Sequence, residues 1–337
     1  MPCKQRREEV KQYPSYLNAF QDGTLERVSE IAFKMLESCA ICPRKCGVNR
    51  LKGHQTGFCK TGLEPVVYRS LPHHGEEPPV SGECGSGTIF FSGCNMSCVY
   101  CQNYEFSQAI EGRPVSAEEL ADSMLNLQNL GCHNINLVTP THVMPQILKA
   151  LMSAIPRGLR IPLVYNTGGY ELPEMIRLLD GIVDIYLADM RYSDEGMAKT
   201  YSGAADYVRM NRQAIAEMHR QTGIAKFNEN GIIRKGLIVR LLVMPENISG
   251  TEEAISFIAE NISKDIYISL MSQYAPFHKA AGIKGLCRRI NSEEYASAQA
   301  ALEKHGLCNG WTQDDGGLDR FAGVNIKNSF KDNPDAG

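Results

Sequence analysis

Short apolar runs alternate with amphipathic segments over the last two-thirds of the chain. The runs are rich in β-branched and aromatic residues, which predicts buried strands, and apolar positions at helical spacing predict helices between them. The predicted strands are residues 88–91, 135–139, 161–166, 183–188, 236–243 and 266–271. Six strand–helix units in series with mostly short connections indicate a parallel sheet covered by helices. The sequence therefore predicts an α/β fold, an open parallel (β/α)6 partial TIM barrel that stops short of eight units.

Polar residues at the predicted helix ends support this division. Ser116 with Glu119, and Asn291 with Glu294, have the spacing of a capping box, in which each side chain accepts a hydrogen bond from the other residue's backbone amide. Ser249 is the predicted cap of the helix that follows the fifth strand. These caps place the helices between the strands, as a parallel sheet requires.

The chain of 337 residues is long enough for one large domain with an appendage. We divide it into an N-terminal helix and cysteine-rich metal-binding segment with a linker at 1–87, a barrel at 88–310 and a tail at 311–337. The linker, residues 71–87, is predicted from its Pro and Gly content. Its polar side chains that either face the active site or lie in solvent are His73, His74, Glu76 and Glu77. Cys84 has no partner at metal-binding spacing.

Composition narrows the class of protein. The net charge of −3 and the pI near 6.3 give no footprint for binding a polyanion such as nucleic acid. No apolar run reaches the length of a membrane span, and the N-terminus lacks the apolar core of a signal peptide. Twelve cysteines without an export signal indicate metal ligands in a reducing compartment. We therefore expect a cytoplasmic protein with neither nucleic acid nor membrane as a partner.

Three cysteines follow the first predicted barrel strand within eight residues, after Gly93 ends it: Cys94, Cys98 and Cys101. Backbone turns at such spacing bring thiolates together on one soft metal centre. Structural metal sites are closed by four ligands, whereas an open coordination position is typical of a site that does chemistry. If a 4Fe–4S cluster is bound here, one of its irons has no protein ligand. The alternatives are a zinc site with a fourth ligand elsewhere, or three reduced core cysteines.

The spacing Cys-x3-Cys-x2-Cys, with Tyr100 before the third cysteine, is similar to the signature of the radical S-adenosylmethionine (SAM) superfamily. The resemblance implies that the open iron binds SAM, and that reduction of the cluster cleaves SAM to a 5′-deoxyadenosyl radical that abstracts a hydrogen atom. It also implies an electron donor such as flavodoxin or ferredoxin. The protein supplies placement and exclusion of water around these cofactors. The three cysteines thereby become catalytic residues as well as metal ligands.

Within that superfamily the chain most resembles the pyruvate formate-lyase activating enzyme-like proteins. The likeness covers nearly the whole length and rests on Cys-Pro-Arg-x-Cys, Gly-Glu-Glu-Pro and Gly-Thr-Ile-Phe-Phe-Ser-Gly-Cys-Asn. It implies hydrogen abstraction from a glycine of a partner glycyl radical enzyme. Two motifs differ from that pattern. Asp189-Met190-Arg191 stands in place of Asp-x-Lys, and Thr-Pro-Thr-His stands in place of the Gly-Gly-Glu that holds the SAM amino group.

The ends of the predicted strands supply the candidate SAM-binding residues, because parallel barrels present ligands at the carboxyl ends of their strands. The candidates are Asn166, Asp189 and Arg240, to which the resemblance adds Tyr100. Asn and Asp suit the ribose hydroxyls or the ammonium group, and Arg suits the carboxylate. Arg240 could instead pair with a carboxylate inside the barrel, and Arg191 could take the part of the lysine near the substrate.

A second set of cysteines follows a predicted amphipathic helix at residues 24–38. Its spacing, Cys-x2-Cys-x3-Cys-x12-Cys, supplies four thiolates, enough to close a tetrahedral zinc site or an all-cysteine iron–sulfur cluster. The four are Cys39, Cys42, Cys46 and Cys59, with His54 as an alternative ligand. We favour iron–sulfur because a second cluster could relay electrons to the first, although the spacing suits both metals.

The sequence therefore leaves three functions open. The first is an activating enzyme that makes a glycyl radical on a partner. The second is another radical SAM reaction, which modifies a peptide, a nucleoside or a small metabolite. The third is a non-catalytic iron–sulfur electron-transfer protein or a zinc protein. The three-cysteine site favours the first two, because a pure relay usually closes its cluster with a fourth cysteine.

Overall fold

The computed structural model describes residues 12–52 and 57–313, and a ten-stranded sheet forms its centre. The strands are β1 (Val66–His73), β2 (Ser86–Phe91), β3 (Arg113–Pro114), β4 (Ile135–Val138), β5 (Leu163–Thr167), β6 (Ile185–Asp189), β7 (Lys226–Phe227), β8 (Ile233–Leu242), β9 (Tyr267–Met271) and β10 (Gly310–Thr312). Their order is β10-β9-β8-β6-β5-β4-β2-β1-β3, with β7 paired to β8. The run from β10 to β2 is parallel, while β1, β3 and β7 pair antiparallel.

Helices connect and cover the parallel strands. They are α1 (Tyr16–Gln21), α2 (Thr24–Lys34), α3 (Pro78–Ser81), α4 (Tyr104–Ser107), α5 (Ala117–Asn129), α6 (Met144–Ala154), α7 (Pro173–Leu178), α8 (Glu195–Ser202), α9 (Tyr207–Thr222), α10 (Thr251–Asn261) and α11 (Ser292–His305). The six predicted strands correspond to β2, β4, β5, β6, β8 and β9. The predicted α/β fold with an open, mostly parallel sheet and a partial barrel is confirmed. The sequence missed the short edge strand β10.

Both predicted capping boxes are present. The Ser116 hydroxyl accepts from the Glu119 amide at 3.1 Å, and the Glu119 carboxylate accepts from the Ser116 amide at 2.8 Å. The box at the start of α11 has the same pattern. The predicted cap of α10 by Ser249 is wrong. The chain turns through Gly250, which has a left-handed φ of 62° and is the N-cap, so the Ser249 hydroxyl bonds the Thr251 hydroxyl instead.

The linker predicted at residues 71–87 is largely regular structure. Its first residues belong to β1, in which His73 pairs with Ser86 of β2. The consecutive prolines then open α3, because proline is favoured in the first turn of a helix. Val80 of α3 is fully buried against Val164 and Ile238. Helix α3 therefore plugs the amino-terminal end of the barrel, and the loop before it enters the barrel interior.

The strand faces that line the barrel change character along their length. Val164, Ile185 and Ile238 form an apolar cluster toward the amino ends of β5, β6 and β8. Because side chains alternate along a strand, positions two or four residues further on share that inner face. Asn166 and Asp189 occupy such positions, and both are buried. The carboxyl half of the barrel interior is therefore polar.

No helix within residues 12–52 and 57–313 is long and apolar enough to cross a membrane. His54 and the part of the predicted tail after Gln313 lie outside the described residues. The start of that tail, Trp311 and Thr312, belongs to β10 and pairs with β9.

Candidate functional site

The three-cysteine loop begins directly after β2 and is fixed by its backbone. Gly93 has a φ of 88°, and a Cβ there would lie 2.6 Å from the carbonyl oxygen of Cys59. Only glycine suits a position with that conformation and that close approach. Further along, the Ser97 amide donates to the carbonyl of Ser202 at 3.1 Å. The loop is therefore anchored both to the N-terminal cysteine segment and to the end of α8.

Cys98 has the most polar surroundings of the three cysteines. Its sulfur accepts hydrogen bonds from the Ser202 hydroxyl at 3.0 Å and from Nη1 of Arg191 at 3.3 Å. These two donors fix the position of the Cys98 sulfur between the end of α8 and the residues that follow β6.

The other two sulfurs have hydrogen-bond contacts from the segment around them. The Met96 amide donates to Cys94 Sγ at 3.3 Å, and the Ser107 hydroxyl lies 3.2 Å from Cys101 Sγ. Burial raises the pKa of Cys94 to about 12, and the neighbouring Cys98 adds to the rise. Burial likewise raises the pKa of Cys101. A metal that displaces the protons would remove this cost, because thiolates are the metal ligands.

Among the described residues, no three His, Cys, Asp or Glu side chains are already arranged to hold one metal ion. Three cysteine thiols on one short loop are a donor set that a 4Fe–4S cluster accepts.

Two arginines hold Asp189 at the polar end of the barrel. Oδ1 accepts from Nε of Arg240 at 2.6 Å, and Oδ2 accepts from Nε and Nη2 of Arg191 at 2.9 and 2.6 Å. Burial would raise the pKa of Asp189, but the two guanidinium groups outweigh burial and hold it below its usual range. Arg240 also donates to Oδ1 of Asn166 at 2.7 Å. The three predicted rim residues therefore form one network.

That network extends to a glutamate from the loop before α3. Oε2 of Glu76 lies 3.7 Å from Nη1 of Arg240 and 3.5 Å from Nδ2 of Asn166. Burial and then Glu77 raise the pKa of Glu76 to about 7, partly offset by Arg240. The sequence left open whether Glu76 and Glu77 face the active site or lie in solvent. Both are buried, so they do not lie in solvent. Gly-Glu-Glu-Pro was the signal for this position, but its placement depends on the plug formed by α3.

Tyr100 takes part in a hydrogen-bond chain that ends at the cysteine loop. Its hydroxyl lies 2.8 Å from that of Tyr192, which lies 2.7 Å from Oγ of Ser202. Ser202 in turn donates to Cys98. Burial raises the pKa of Tyr100 well above the ordinary value. This chain of neutral hydroxyls therefore connects Tyr100 to Cys98, a candidate metal ligand.

A cleft joins the cysteine loop to the polar network. It is lined by Tyr100, Cys101, Asn166, Asp189, Arg191 and Arg240, and also by Met271, Gln273, Tyr274, Ala275 and Phe277. Apolar and aromatic walls with a few polar groups are typical of a small-molecule site. The structure thus brings one candidate metal ligand and all four candidate cofactor-binding residues to one space.

The four N-terminal cysteines line a separate cavity. The loop that carries three of them is closed by paired backbone bonds, from the Cys39 amide to Val48 and from the Gly47 amide to Cys39, each 2.9 Å. Burial, with smaller contributions from the neighbouring cysteines, raises the pKa of Cys42 to about 12. Their chemistry suits a thiolate-bound metal. Cys84 is exposed and takes no part in either cysteine set.

Sequence reasoning missed Ser202 as a partner of Cys98. The serine lies at the end of α8, 104 residues away from the cysteine along the chain. No motif marks a serine that meets its partner only through tertiary packing. Arg191 was marked by the Asp-x-basic pattern, but its bond to Cys98 was not predicted.

Comparisons with known proteins agree with this geometry. Residues 88–258 match the family model of the Radical SAM superfamily. An uncharacterized protein of Methanocaldococcus jannaschii, MJ0674, is 31% identical over 301 residues, which cover 86% of this chain and 82% of that protein.

Two solved structures are also similar. The FeFe-hydrogenase maturase HydG from Carboxydothermus hydrogenoformans has 13% identity and a TM-score of 0.45, over 67% of this chain and 53% of that one. Streptococcus suis SuiB has 13% identity and a TM-score of 0.41, over 70% of this chain and 50% of that one. The chain thus spans about half the length of these two solved chains.

Proposed function

The chain belongs to the radical SAM superfamily, and we propose that Cys94, Cys98 and Cys101 hold its 4Fe–4S cluster. When bound, such a cluster supplies the electron that cleaves SAM to methionine and a 5′-deoxyadenosyl radical, which abstracts a hydrogen atom from a substrate. The observation that carries the assignment is the three-thiol loop opening onto the cleft at Cys101. The open coordination position of the cluster would then face the space in which SAM binds.

The chain's own residues position SAM and keep water out. We assign the polar groups of SAM to Asn166, Asp189 and Arg240, with the Tyr100 ring on the cluster side of the cleft. Asp189 and Arg240 hold each other through a 2.6 Å charge-assisted bond, so neither side chain has to reorganise on binding. Rigid, paired polar groups of this kind lower the entropic cost of ligand binding.

For the hydrogen donor, we propose a glycine-containing loop of a glycyl radical enzyme, which would enter the open cleft as a peptide. The guanidinium group of Arg191 bonds both Asp189 and Cys98. We therefore assign Arg191 a different role from that of a free lysine at this position. Modification of another peptide or of a small metabolite is the competing reaction. Anaerobic mixing with candidate partners, followed by electron paramagnetic resonance (EPR) for a glycyl radical, separates the two.

SAM cleavage by the isolated protein is the primary test. After anaerobic reconstitution and reduction with dithionite, the wild type should form 5′-deoxyadenosine, and Cys98→Ala should not. Cys308→Ala is the matched control, because Cys308 is exposed and belongs to neither cysteine set. A Cys98→Ala protein that forms 5′-deoxyadenosine at the wild-type rate would overturn the assignment of the loop.

We also propose that Cys39, Cys42, Cys46 and Cys59 hold a second metal centre. Four thiolates would close its coordination sphere, so it should not bind SAM. The support is the cavity that all four cysteines line. Metal content should fall in a Cys42→Ser and Cys46→Ser double variant, and equal metal content in variant and wild type would remove the site.

A further inference from the structure

The two cysteine sets meet at the short segment that follows β2. The carbonyl of Cys59 packs against Gly93, the residue before Cys94. Nε of Arg44 donates to the carbonyl of Asn95, the residue after Cys94, at 2.9 Å. The N-terminal cysteine segment therefore touches the cluster loop on both sides of its first cysteine.

A third connection runs through a buried arginine. Arg50 is 1% exposed, and its Nη1 lies 2.7 Å from the carbonyl of His142 and 3.9 Å from Cys39 Sγ. The His142 ring contacts the carbonyl of Ser92 at 2.8 Å. Arg50 and His142 thus connect Cys39 to Ser92, the residue that follows β2.

Charge around the N-terminal cavity indicates what it holds. Among the described residues, no carboxylate lies within ion-pair distance of Arg50 or Arg44. Nη2 of Arg44 is buried without a hydrogen-bond partner, and its guanidinium lies 3.7 Å over the Phe58 ring. Buried cations need a compensating anion. Four thiolates on a centre of charge +2 carry a net charge of −2, which balances two guanidinium groups.

The contact between the two cysteine sets distinguishes between the two metals that the spacing allows. Zinc has no redox chemistry, so a zinc ion beside the three-cysteine loop could not pass an electron to it. The four N-terminal cysteines line one cavity. Its walls are cysteines, apolar side chains such as Val48 and the two arginines. An iron–sulfur cube with one thiolate on each iron matches that arrangement.

The outer side of this cavity reaches the surface. Cys46 is exposed, and Phe58 is an exposed aromatic ring with 41% of its surface accessible. Lys45 and Lys60 are exposed beside these two residues. Positive charge around an exposed contact point steers acidic electron-carrier proteins. The inner side meets the loop of the first cluster, so the cavity lies between the surface and that cluster.

We propose that the N-terminal cysteines hold a 4Fe–4S cluster that passes electrons from a docked donor protein to the cluster at Cys94, Cys98 and Cys101. One electron would leave a low-potential one-electron donor, such as a reduced flavoprotein, and would enter the N-terminal cluster. It would then pass to the cluster at Cys94, Cys98 and Cys101 across the contact of Cys59 with Gly93. No bond would form or break and no proton would move in this transfer. The use of this electron to cleave SAM rests on the proposed function, whereas the transfer of the electron between the two clusters does not.

Iron, sulfide and zinc counts test the nature of the centre. Wild-type protein reconstituted anaerobically should hold about eight irons and about eight sulfides, four for each cluster. Cys42→Ser with Cys46→Ser should hold about four, as should the triple alanine variant of the other set. Cys287→Ser with Cys308→Ser, both exposed, should match the wild type. About four irons with one zinc would overturn this inference and leave SAM cleavage by the first cluster untouched.

EPR of the fully reduced wild type, compared with the two single-cluster variants, tests the adjacency. Two paramagnetic clusters that lie on either side of Gly93 should broaden each other's signals. A wild-type spectrum equal to the sum of the two single-cluster variants would overturn the adjacency.

Reduction kinetics test the relay. With reduced flavodoxin as donor, loss of the N-terminal cluster should slow reduction of the remaining cluster by about tenfold or more, and added salt should slow the wild type. With dithionite, both proteins should be reduced fully. Equal rates with flavodoxin would overturn the relay. If the electron passes but no 5′-deoxyadenosine forms, the proposed function fails and the relay stands.

Discussion

Arg191 connects Cys98 directly to Asp189. Nη1 of the arginine lies 3.3 Å from the cysteine sulfur, while Nε and Nη2 both donate to Oδ2 of the aspartate. One guanidinium group therefore contacts both the three-cysteine loop and the polar end of the barrel. A substitution at Cys98 or at Asp189 therefore removes one of the contacts that hold the Arg191 guanidinium group, and so affects the other contact.

We predict that Arg191→Met lowers the reduction potential of the cluster at Cys98. The wild-type cation and its hydrogen bond stabilise the more negative, reduced state, and methionine supplies neither. The expected shift is on the order of 50 mV, equivalent to about 1 kcal/mol for one electron. An EPR-monitored redox titration measures it. Arg209→Met is the control, because Arg209 is an exposed residue of α9. An unchanged potential with intact iron content would contradict the coupling.

We predict that Asp189→Ala and Arg240→Ala both weaken SAM binding. Losing one charge-assisted hydrogen bond in a buried site costs about 1.5–3 kcal/mol, or about ten- to a hundredfold in affinity. The two variants should differ in stability. Asp189→Ala leaves two guanidinium groups without their carboxylate, whereas after Arg240→Ala the aspartate keeps Arg191. Asp189→Ala should therefore lower Tm further.

SAM affinity and Tm measured on the same two proteins decide the role of these residues. Unchanged affinity in both variants would remove them from the SAM site. Lower Tm with unchanged affinity would make Arg240 the structural partner of Asp189, the other reading that the sequence allows.

We predict that Ser116→Ala lowers the free energy of unfolding by about 1 kcal/mol, because it removes the N-cap bond to the Glu119 amide. Ser123→Ala in the same helix is the matched control. Its hydroxyl bonds only the carbonyl one turn earlier, and alanine is the better helix former, so stability should hold or rise slightly. Denaturant unfolding of the three proteins measures the difference. Equal losses in both variants would contradict the capping account.

Local sequence signals predicted the parts of the fold that local physics determines. The capping boxes at Ser116 and Asn291 and the six strand runs depend on residues a few positions apart, and all of them are present. Gly250 shows the limit of that reasoning. Serine one position earlier has the right chemistry for a cap, but the left-handed turn at the glycine moves the helix start by one residue.

Sequence signals located the parts of the candidate site that lie in one motif or at strand ends. The three cysteines share one loop, and Asn166, Asp189 and Arg240 were chosen because parallel barrels present ligands at the carboxyl ends of their strands. Glu76 and Ser202 could not be placed in this way. Glu76 reaches Arg240 only because α3 plugs the barrel, and Ser202 reaches Cys98 only because α8 ends beside the loop. Both contacts are products of packing between distant segments.

Glu171 provides a prediction about pH. Its carboxylate is fully buried and accepts hydrogen bonds from the hydroxyls of Thr141 and Thr167. Burial raises its pKa from 4.5 to about 7, and these hydrogen bonds only partly oppose the rise. Between those two pH values the folded protein holds a proton that the unfolded chain has released. Stability therefore falls as pH rises through this window, because the folded state binds more protons there.

We predict that Glu171→Gln reduces this loss of stability, since glutamine cannot ionise. Tm measured at about pH 5 and about pH 8 should fall less with rising pH in the variant than in the wild type. Some loss should remain, because Glu76 has a pKa raised in the same direction. Glu174→Gln is the matched control, because Glu174 is exposed at the start of α7, and it should follow the wild type. A Glu171→Gln protein whose Tm falls as steeply as that of the wild type would show that the buried carboxyl does not set this pH dependence.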